Sequence, residues 1–452
     1  AAGQTERAGN LIEALMTTSE RAEALELEIE LARQDKAGNL EEPLRTLATE
    51  FPKSRWYARA LHEAGDEALV AGYALATQRQ FDQLVAAFQD STFAPGAAWR
   101  AAWIAYRLGQ ASAPTRLEQY GARFPHSTDV VDSLYWRGEW ALAKHEPQLA
   151  AACLHAAANH FPGTYFGQQA HDALAALKPQ RPLRPLPAWL RRYQDDPPAP
   201  VAKPIPAAFR GDLERARSLQ QAGLLEPAAT IMASVLGKLP AAASLALARE
   251  LAGVDYQRGA WHDGLEAMLH AAPKYLELHR GQLRVNDWRL LFPQPYRADV
   301  TAAADHFGLG RNLLLGLVRQ ESGFDPGSVS STRAQGLTQL ELATARGGYG
   351  RLPKAWRALA GAGVLSSADL ANPGLNLALG AGELHALLQR FPAPEQALAG
   401  YNAGASRVVQ WQQRFGDQDA NAFIESIPFA QTRAYVQAVL RNQAHYRQIY
   451  AK

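Results

Sequence analysis

Cysteine is almost missing from this chain. One residue, Cys153, stands in 452, which excludes a disulfide within the chain and any zinc cluster built on thiolates. Charge of one sign is also missing. The 46 lysines and arginines nearly match the 44 aspartates and glutamates, leaving a net charge of +2. That balance is too weakly basic to argue for a nucleic-acid binder, yet it does not repel an anionic polymer. No apolar run approaches the roughly 18 residues of a membrane span. The segment Leu11–Met16 is short and carries Glu13, so it does not read as the apolar core of a secretory signal. No His-Glu-x-x-His pair, phosphate-binding Gly-x-x-x-x-Gly-Lys loop or Gly-x-Ser-x-Gly elbow occurs, and the glycines at 347, 348 and 350 follow no strand. Neither a cofactor nor a metal is expected, and no nucleic-acid partner.

Alternating, strand-like stretches are scarce too, whereas apolar residues recur at three- and four-residue spacing nearly everywhere. The fold class expected is all-α. In the first part Trp99-Arg100-Ala101-Ala102-Trp103 returns as Trp136-Arg137-Gly138-Glu139-Trp140, and Phe124-Pro125 returns as Phe161-Pro162, each after 37 residues (99 to 136, 124 to 161). Phe51-Pro52 lies close to two such periods earlier. A period in the mid-thirties resembles that of tetratricopeptide-type helical hairpins, which bury their faces by stacking into a superhelix. The tryptophan pairs fall on one helix face at i and i+4. They fit an inter-repeat core, or else an aromatic sugar-binding platform. Nine prolines from Pro179 to Pro206 exclude helix. The expected division is a helical-repeat domain over 1–178, a proline-rich linker or strap over 179–206, a helical linker domain over 207–283 and a catalytic domain over 284–452.

Chemistry is suggested at one helix end. Leu313, Leu314, Leu317 and Val318 make an apolar stripe that Glu321 continues. Burial there penalises the carboxylate and lifts its pKa toward neutrality, which suits a general acid. A glutamate at a helix end also turns to solvent or caps a neighbour, and this segment alone does not choose. The helix stops at Ser322-Gly323-Phe324-Asp325-Pro326. Three further blocks follow in order: Gly336-Leu337-Thr338-Gln339, Tyr401-Asn402-Ala403-Gly404, and Ile427-Pro428-Phe429 through Thr432-Arg433-Ala434-Tyr435-Val436.

These four blocks, in this order, resemble the catalytic domain of the soluble lytic transglycosylases, whose fold is similar to goose-type lysozyme. The resemblance covers roughly 291–450, and the helical repeats upstream match the large soluble members. It implies a peptidoglycan lyase with Glu321 as sole acid and base. Glu321 would protonate the oxygen between N-acetylmuramic acid and N-acetylglucosamine, then deprotonate the muramyl O6 hydroxyl that attacks C1. A 1,6-anhydromuramyl end results and no water is consumed. The substrate supplies the nucleophile, so the second carboxylate of most glycosidases is dispensable.

By the same resemblance Ser330, Gln339, Tyr401, Asn402, Gln431 and Tyr435 bind substrate. Some positions depart from the family. Arg333 replaces a glycine, Thr338 and Glu341 replace methionines, Leu342 a proline, Glu383 a tyrosine and Gln431 a glutamate. Glu341 and Glu383 are therefore candidate second carboxylates that would turn the outcome toward hydrolysis. The expected partners are peptidoglycan strands and muropeptides, with cell-wall synthesis enzymes as candidates. The expected location is the periplasm, in a mature form without its signal peptide. The rival reading is a catalytically degenerate glycan-binding scaffold that acts through its repeats.

Overall fold

Helical hairpins with one apolar face bury it only against a neighbour, and stacking is how the first part of this chain solves that problem. The computed structural model describes residues 2–35, 40–195, 203–361, 364–416 and 419–451. Among them every regular element is a helix, apart from isolated bridges joining Gln335 to Val329 and to Leu340. The all-α expectation holds. The chain divides into two compact units, Ala1–Ala157 with Ala170–Asp195, and Ala158–Gln169 with Asp196–Lys452.

In the first unit the helices Arg55–Ala71 and Ala74–Ala87, then Ala94–Arg107 and Ala113–Arg123, then Val130–Ala143 and Pro147–His160, form successive hairpins. Trp99, Trp103 and Trp136 are all buried, and the Trp103 and Trp136 rings lie 4.7 Å apart across neighbouring repeats. They are core, so the platform reading is set aside for them. A forked ion pair from Arg116 to Asp82, at 2.6 and 2.9 Å, adds a second tie between repeats. In the proline-rich stretch a turn at Ala188–Tyr193 buries Leu190 and Tyr193, and Arg192 donates to the Ala122 carbonyl. Pro197, Pro198 and Pro200 lie outside the described residues.

The second unit groups residues that the sequence division kept apart. Hairpins from Arg210 to Ala271 lead into Val285–Leu291, Arg297–Phe307 and Arg311–Glu321. Phe292, in the break expected to mark a boundary, is fully buried with its ring 4.6 Å from His445 and 5.4 Å from Tyr446. Tyr446 and Tyr450 donate to the Pro293 and Phe292 carbonyls. The segment 158–169 belongs here through Gly163, which donates to the Leu276 carbonyl and whose own carbonyl meets His445 Nε2 at 2.9 Å.

One contact positions the candidate site. A Cβ at Gly316 would sit 2.9 Å from the Val439 carbonyl. Glycine there lets the Arg311–Glu321 helix press backbone to backbone against Ala430–Ile449. Tyr435 lies one turn before Val439 on the same face, so the close approach carries it toward the end of the first helix.

Candidate functional site

Glu321 is the last residue of its helix, and Leu314, Leu317 and Val318 behind it are buried. The Tyr435 hydroxyl donates to Glu321 Oε1 at 2.6 Å. Burial pushes the Glu321 carboxyl up to about 7, while the Tyr435 bond, which favours the ionised form, pulls the other way. Burial dominates. The result is a carboxyl that keeps its proton up to about neutral pH, where it is poised between its two forms, and has a fixed hydrogen-bond donor for the moment it ionises. Tyr435 itself is raised well above the usual tyrosine range by burial and by the carboxylate, so it remains a donor.

The loop after Glu321 is locked in place by buried polar groups. Ser322 Oγ donates to the Leu337 carbonyl at 2.9 Å. Gly336 has φ +76, and a Cβ there would meet the Leu370 carbonyl and the Asn376 amide at 2.3 Å, so both conformation and space demand glycine. The Asn376 side chain, fully buried, accepts from the Thr338 amide and hydroxyl and donates to the Gln335 and Leu370 carbonyls. The turn so held presents the Thr338 carbonyl to the Tyr401 hydroxyl at 2.8 Å. Tyr401 is raised by burial first, then by Glu321, and also by Glu383. Thr432 Oγ1 donates to Asn402 Oδ1 at 2.7 Å, which pins the Tyr401–Asn402 turn to the final helix.

The fold thus gathers Glu321, Tyr435, Tyr401 and Asn402. Gln339, at φ +47, spends its amide donors on the Ser328 and Gly336 carbonyls and lies in the rim loop. Ser330 shares that loop, accepting from the Ala334 amide at 3.0 Å. Gln431 is exposed in the first turn of the final helix, one residue before Thr432. The two candidate second carboxylates separate. Glu383 is partly buried close enough to act on Tyr401, and burial raises its own pKa against the opposing pull of Arg351. Glu341 is exposed at the start of the Leu342–Tyr349 helix. Neither contributes to the shift at Glu321.

Two departures gain a local explanation. Thr338 is fully buried and bound to Asn376, and Arg333 holds φ +65, a left-handed position that favours the glycine it replaces. Sequence reasoning missed Asn376 and Thr432. The only signal for Asn376 was a polar residue inside an apolar helical run, Leu375 to Leu379, and Thr432 gave none beyond its block.

Comparison with known proteins gives the family. The family profile for the transglycosylase SLT domain matches residues 300–424, and that for the soluble lytic transglycosylase helical domain matches 426–452. A soluble lytic murein transglycosylase of Escherichia coli K12 is 36% identical over 135 residues, 29% of this chain and 20% of that protein. The corresponding protein of Salmonella typhimurium is 32% identical over 158 residues, 34% of this chain and 23% of its own length. This chain therefore matches a quarter or less of those relatives. An endo-type membrane-bound lytic murein transglycosylase A of Cronobacter sakazakii is 30% identical over 148 residues, 31% of this chain and 68% of that protein. Among solved structures, the 70-kDa soluble lytic transglycosylase of Escherichia coli superposes with a TM-score of 0.65 at 19% identity, covering 99% of this chain and 66% of that one. At that identity the likeness speaks for the fold alone. With two thirds of a 30%-identical relative covered and the SLT domain profiles matched, the chain belongs to the lytic murein transglycosylase family.

Proposed function

We propose that this chain is a peptidoglycan lytic transglycosylase that cleaves the β-1,4 bond between N-acetylmuramic acid and N-acetylglucosamine, with Glu321 as its single acid and base. The observation that carries the reading is the Glu321 carboxyl, pushed up to about 7 by burial and hydrogen-bonded by Tyr435. In its protonated form Glu321 gives its proton to the glycosidic oxygen as the bond to C1 breaks. The resulting carboxylate, held by Tyr435, takes the proton of the muramyl O6 hydroxyl as that oxygen bonds to C1. The proton balance closes, no water enters, and the product ends are 1,6-anhydro. Tyr401 and Asn402, fixed by Thr338 and Thr432, line the same patch and serve as contacts for the sugar. Ser330, Gln339 and Gln431 are proposed as further contacts along the rim.

A second reading has one observation behind it, since Glu383 acts on the same tyrosine as Glu321. A carboxylate there would direct water to C1 and give hydrolysis. A base must be ionised, however, and burial disfavours ionisation of Glu383, so the single-acid route is preferred. Among the described residues no helix is long and apolar enough to cross a membrane. The proposed location follows from the proposed substrate: the cell envelope, in the periplasm, with wall glycan and muropeptides as ligands. Mass spectrometry of the products released from sacculi tests the whole reading. Anhydromuropeptides from the wild type and none from Glu321→Gln are expected. Hydrated reducing ends, lost in Glu383→Gln, would replace it with hydrolysis.

A further inference from the structure

Trp99, Trp103 and Trp136 of the repeats are spent on the core, but a different aromatic group in the first unit borders open space. A cavity of about 710 Å³ lies between the start of the Arg55–Ala71 helix and the turn that precedes Ala94–Arg107. Its walls bring Trp56, Lys53 and Arg55 opposite Gln89, Ser91 and Thr92. Trp56 is only partly buried: it packs on the core around Leu25 and Leu47, and the exposed Arg55 guanidinium lies over its ring, 4.5 Å from the centre, so the ring opens to a ligand when Arg55 swings from it onto the ligand's carboxylate. Among the described residues no ion pair engages Lys53 or Arg55. Arg59, which also lines the cavity, is different. Glu26, Glu30 and Glu63 hold it at 2.7, 3.0 and 3.0 Å, so it forms wall rather than offering charge.

We propose that this cavity is a binding site for an acidic carbohydrate, separate from the patch around Glu321. Three features select that class. An indole ring packs against the C–H face of a pyranose through dispersion and its electron-rich surface. An amide and two hydroxyls beside it match the ring hydroxyls and N-acetyl groups of a sugar, as does the exposed Asp90 carboxylate, an acceptor on the same wall. Lys53 and Arg55 supply the partner for a carboxylate, Arg55 with the fork that pairs with both oxygens. The volume lies within the roughly 300–1,000 Å³ usual for ligand pockets. A purely acidic peptide would use the cations and leave the aromatic wall and the row of neutral polar groups without a role.

This inference does not depend on the lyase reading, and the experiment keeps the two apart. The full chain carrying Glu321→Gln is titrated calorimetrically with wall glycan strands stripped of peptides, with an uncharged N-acetylglucosamine tetramer, and with a short acidic peptide. The acidic glycan is expected to occupy one site more than in the same chain carrying Arg55→Glu, and at least tenfold more weakly in Trp56→Ala. The tetramer is expected to bind that site less tightly, and raised salt to narrow the difference. Arg55 is exposed, so Arg55→Glu tests the site even if Trp56→Ala disturbs packing. Unchanged stoichiometry and affinity in Arg55→Glu would overturn the proposal. So would binding of the acidic peptide, and not the glycan, that Arg55→Glu abolishes. Loss of the Glu321 patch as a glycan site would count against the lyase reading alone.

Discussion

At pH 5 the Glu321 carboxyl, lifted to about 7, holds its proton, and at pH 9 it does not. As the proposed acid it works only in the first state, so activity is expected to fall as pH rises through about 7. The Tyr435 bond stabilises the ionised form and holds that limb down. Tyr435→Phe removes it, so the alkaline limb of kcat/KM is expected to move to higher pH even as kcat drops. A pH–rate series on sacculi checks the direction, and a limb that stays or moves down would detach Tyr435 from the acid. The same shift has a sign for stability. The folded carboxyl keeps its proton above the unfolded value of 4.5, so native stability is lost as pH climbs from about 4.5 to about 7. Glu321→Gln avoids that loss. It is expected to stabilise the protein at pH 8 and not at pH 4, by about 1–2 kcal/mol after discounting for partial exposure. Urea titrations at the two pH values measure it. The acid itself was legible in sequence because its stripe is local. Its partner was legible only as a block member, since Tyr435 lies 114 residues away and local periodicity does not encode such a pairing.

At the scale of elements, the helices around the site were readable from spacing, and the loop between them was not. The segment from Ser322 to Leu340 has little periodicity. Its shape comes from Ser322, Gly336 and above all Asn376, three of whose side-chain bonds cross to Gln335 and Thr338 from a helix 38 to 41 residues downstream, the fourth going to Leu370. Gly336 was visible as part of a block, but the reason for it, the Leu370 carbonyl where a Cβ would go, needs the fold. Asn376→Ala strips the partner from the buried Thr338 amide and one donor from the Leu370 carbonyl, while the Thr338 hydroxyl keeps the backbone carbonyl of residue 376 and the Gln335 carbonyl keeps the Leu340 amide. Each buried group left unpaired costs about 1–3 kcal/mol. The expected outcome is a drop of several kcal/mol with the helices still formed, and protease cleavage that begins between 328 and 340. Circular dichroism with limited proteolysis checks it, and an intact loop with an unchanged melting point would show that Asn376 is not its anchor. The Thr338 carbonyl also holds Tyr401, so activity is expected to fall further than stability alone accounts for.

At the scale of the molecule, the repeats were legible because their period is written into the chain, whereas the second unit recruits residues by contacts that no period announces. Gly163 and His445 are 282 residues apart, and their 2.9 Å contact helps tie 158–169 to the final helix. His445 is stacked on Phe292 and faces the positive fields of Arg441, Arg319 and Arg280. Burial, ahead of these charges, pushes its pKa from 6.5 down to about 3, against the pull of the Gly163 carbonyl. The folded ring is therefore neutral where the unfolded one is charged. The stability this gives is complete above about pH 6.5 and is lost progressively as pH falls toward 3. Glu321 runs the opposite way between about 4.5 and 7, so where the two windows overlap the pH dependences of these two groups largely cancel. His445→Gln keeps an N–H for the Gly163 carbonyl but has no ring to protonate. It is expected to lower stability at pH 7 by about 1–2 kcal/mol through lost ring packing, and to flatten the fall between pH 6.5 and 4. Urea midpoints across that range, followed by exchange protection of the Ala430–Ile449 helix, separate the two effects. If wild type and variant lose stability in parallel, the acid sensitivity of this unit lies in other groups and the buried imidazole is only packing.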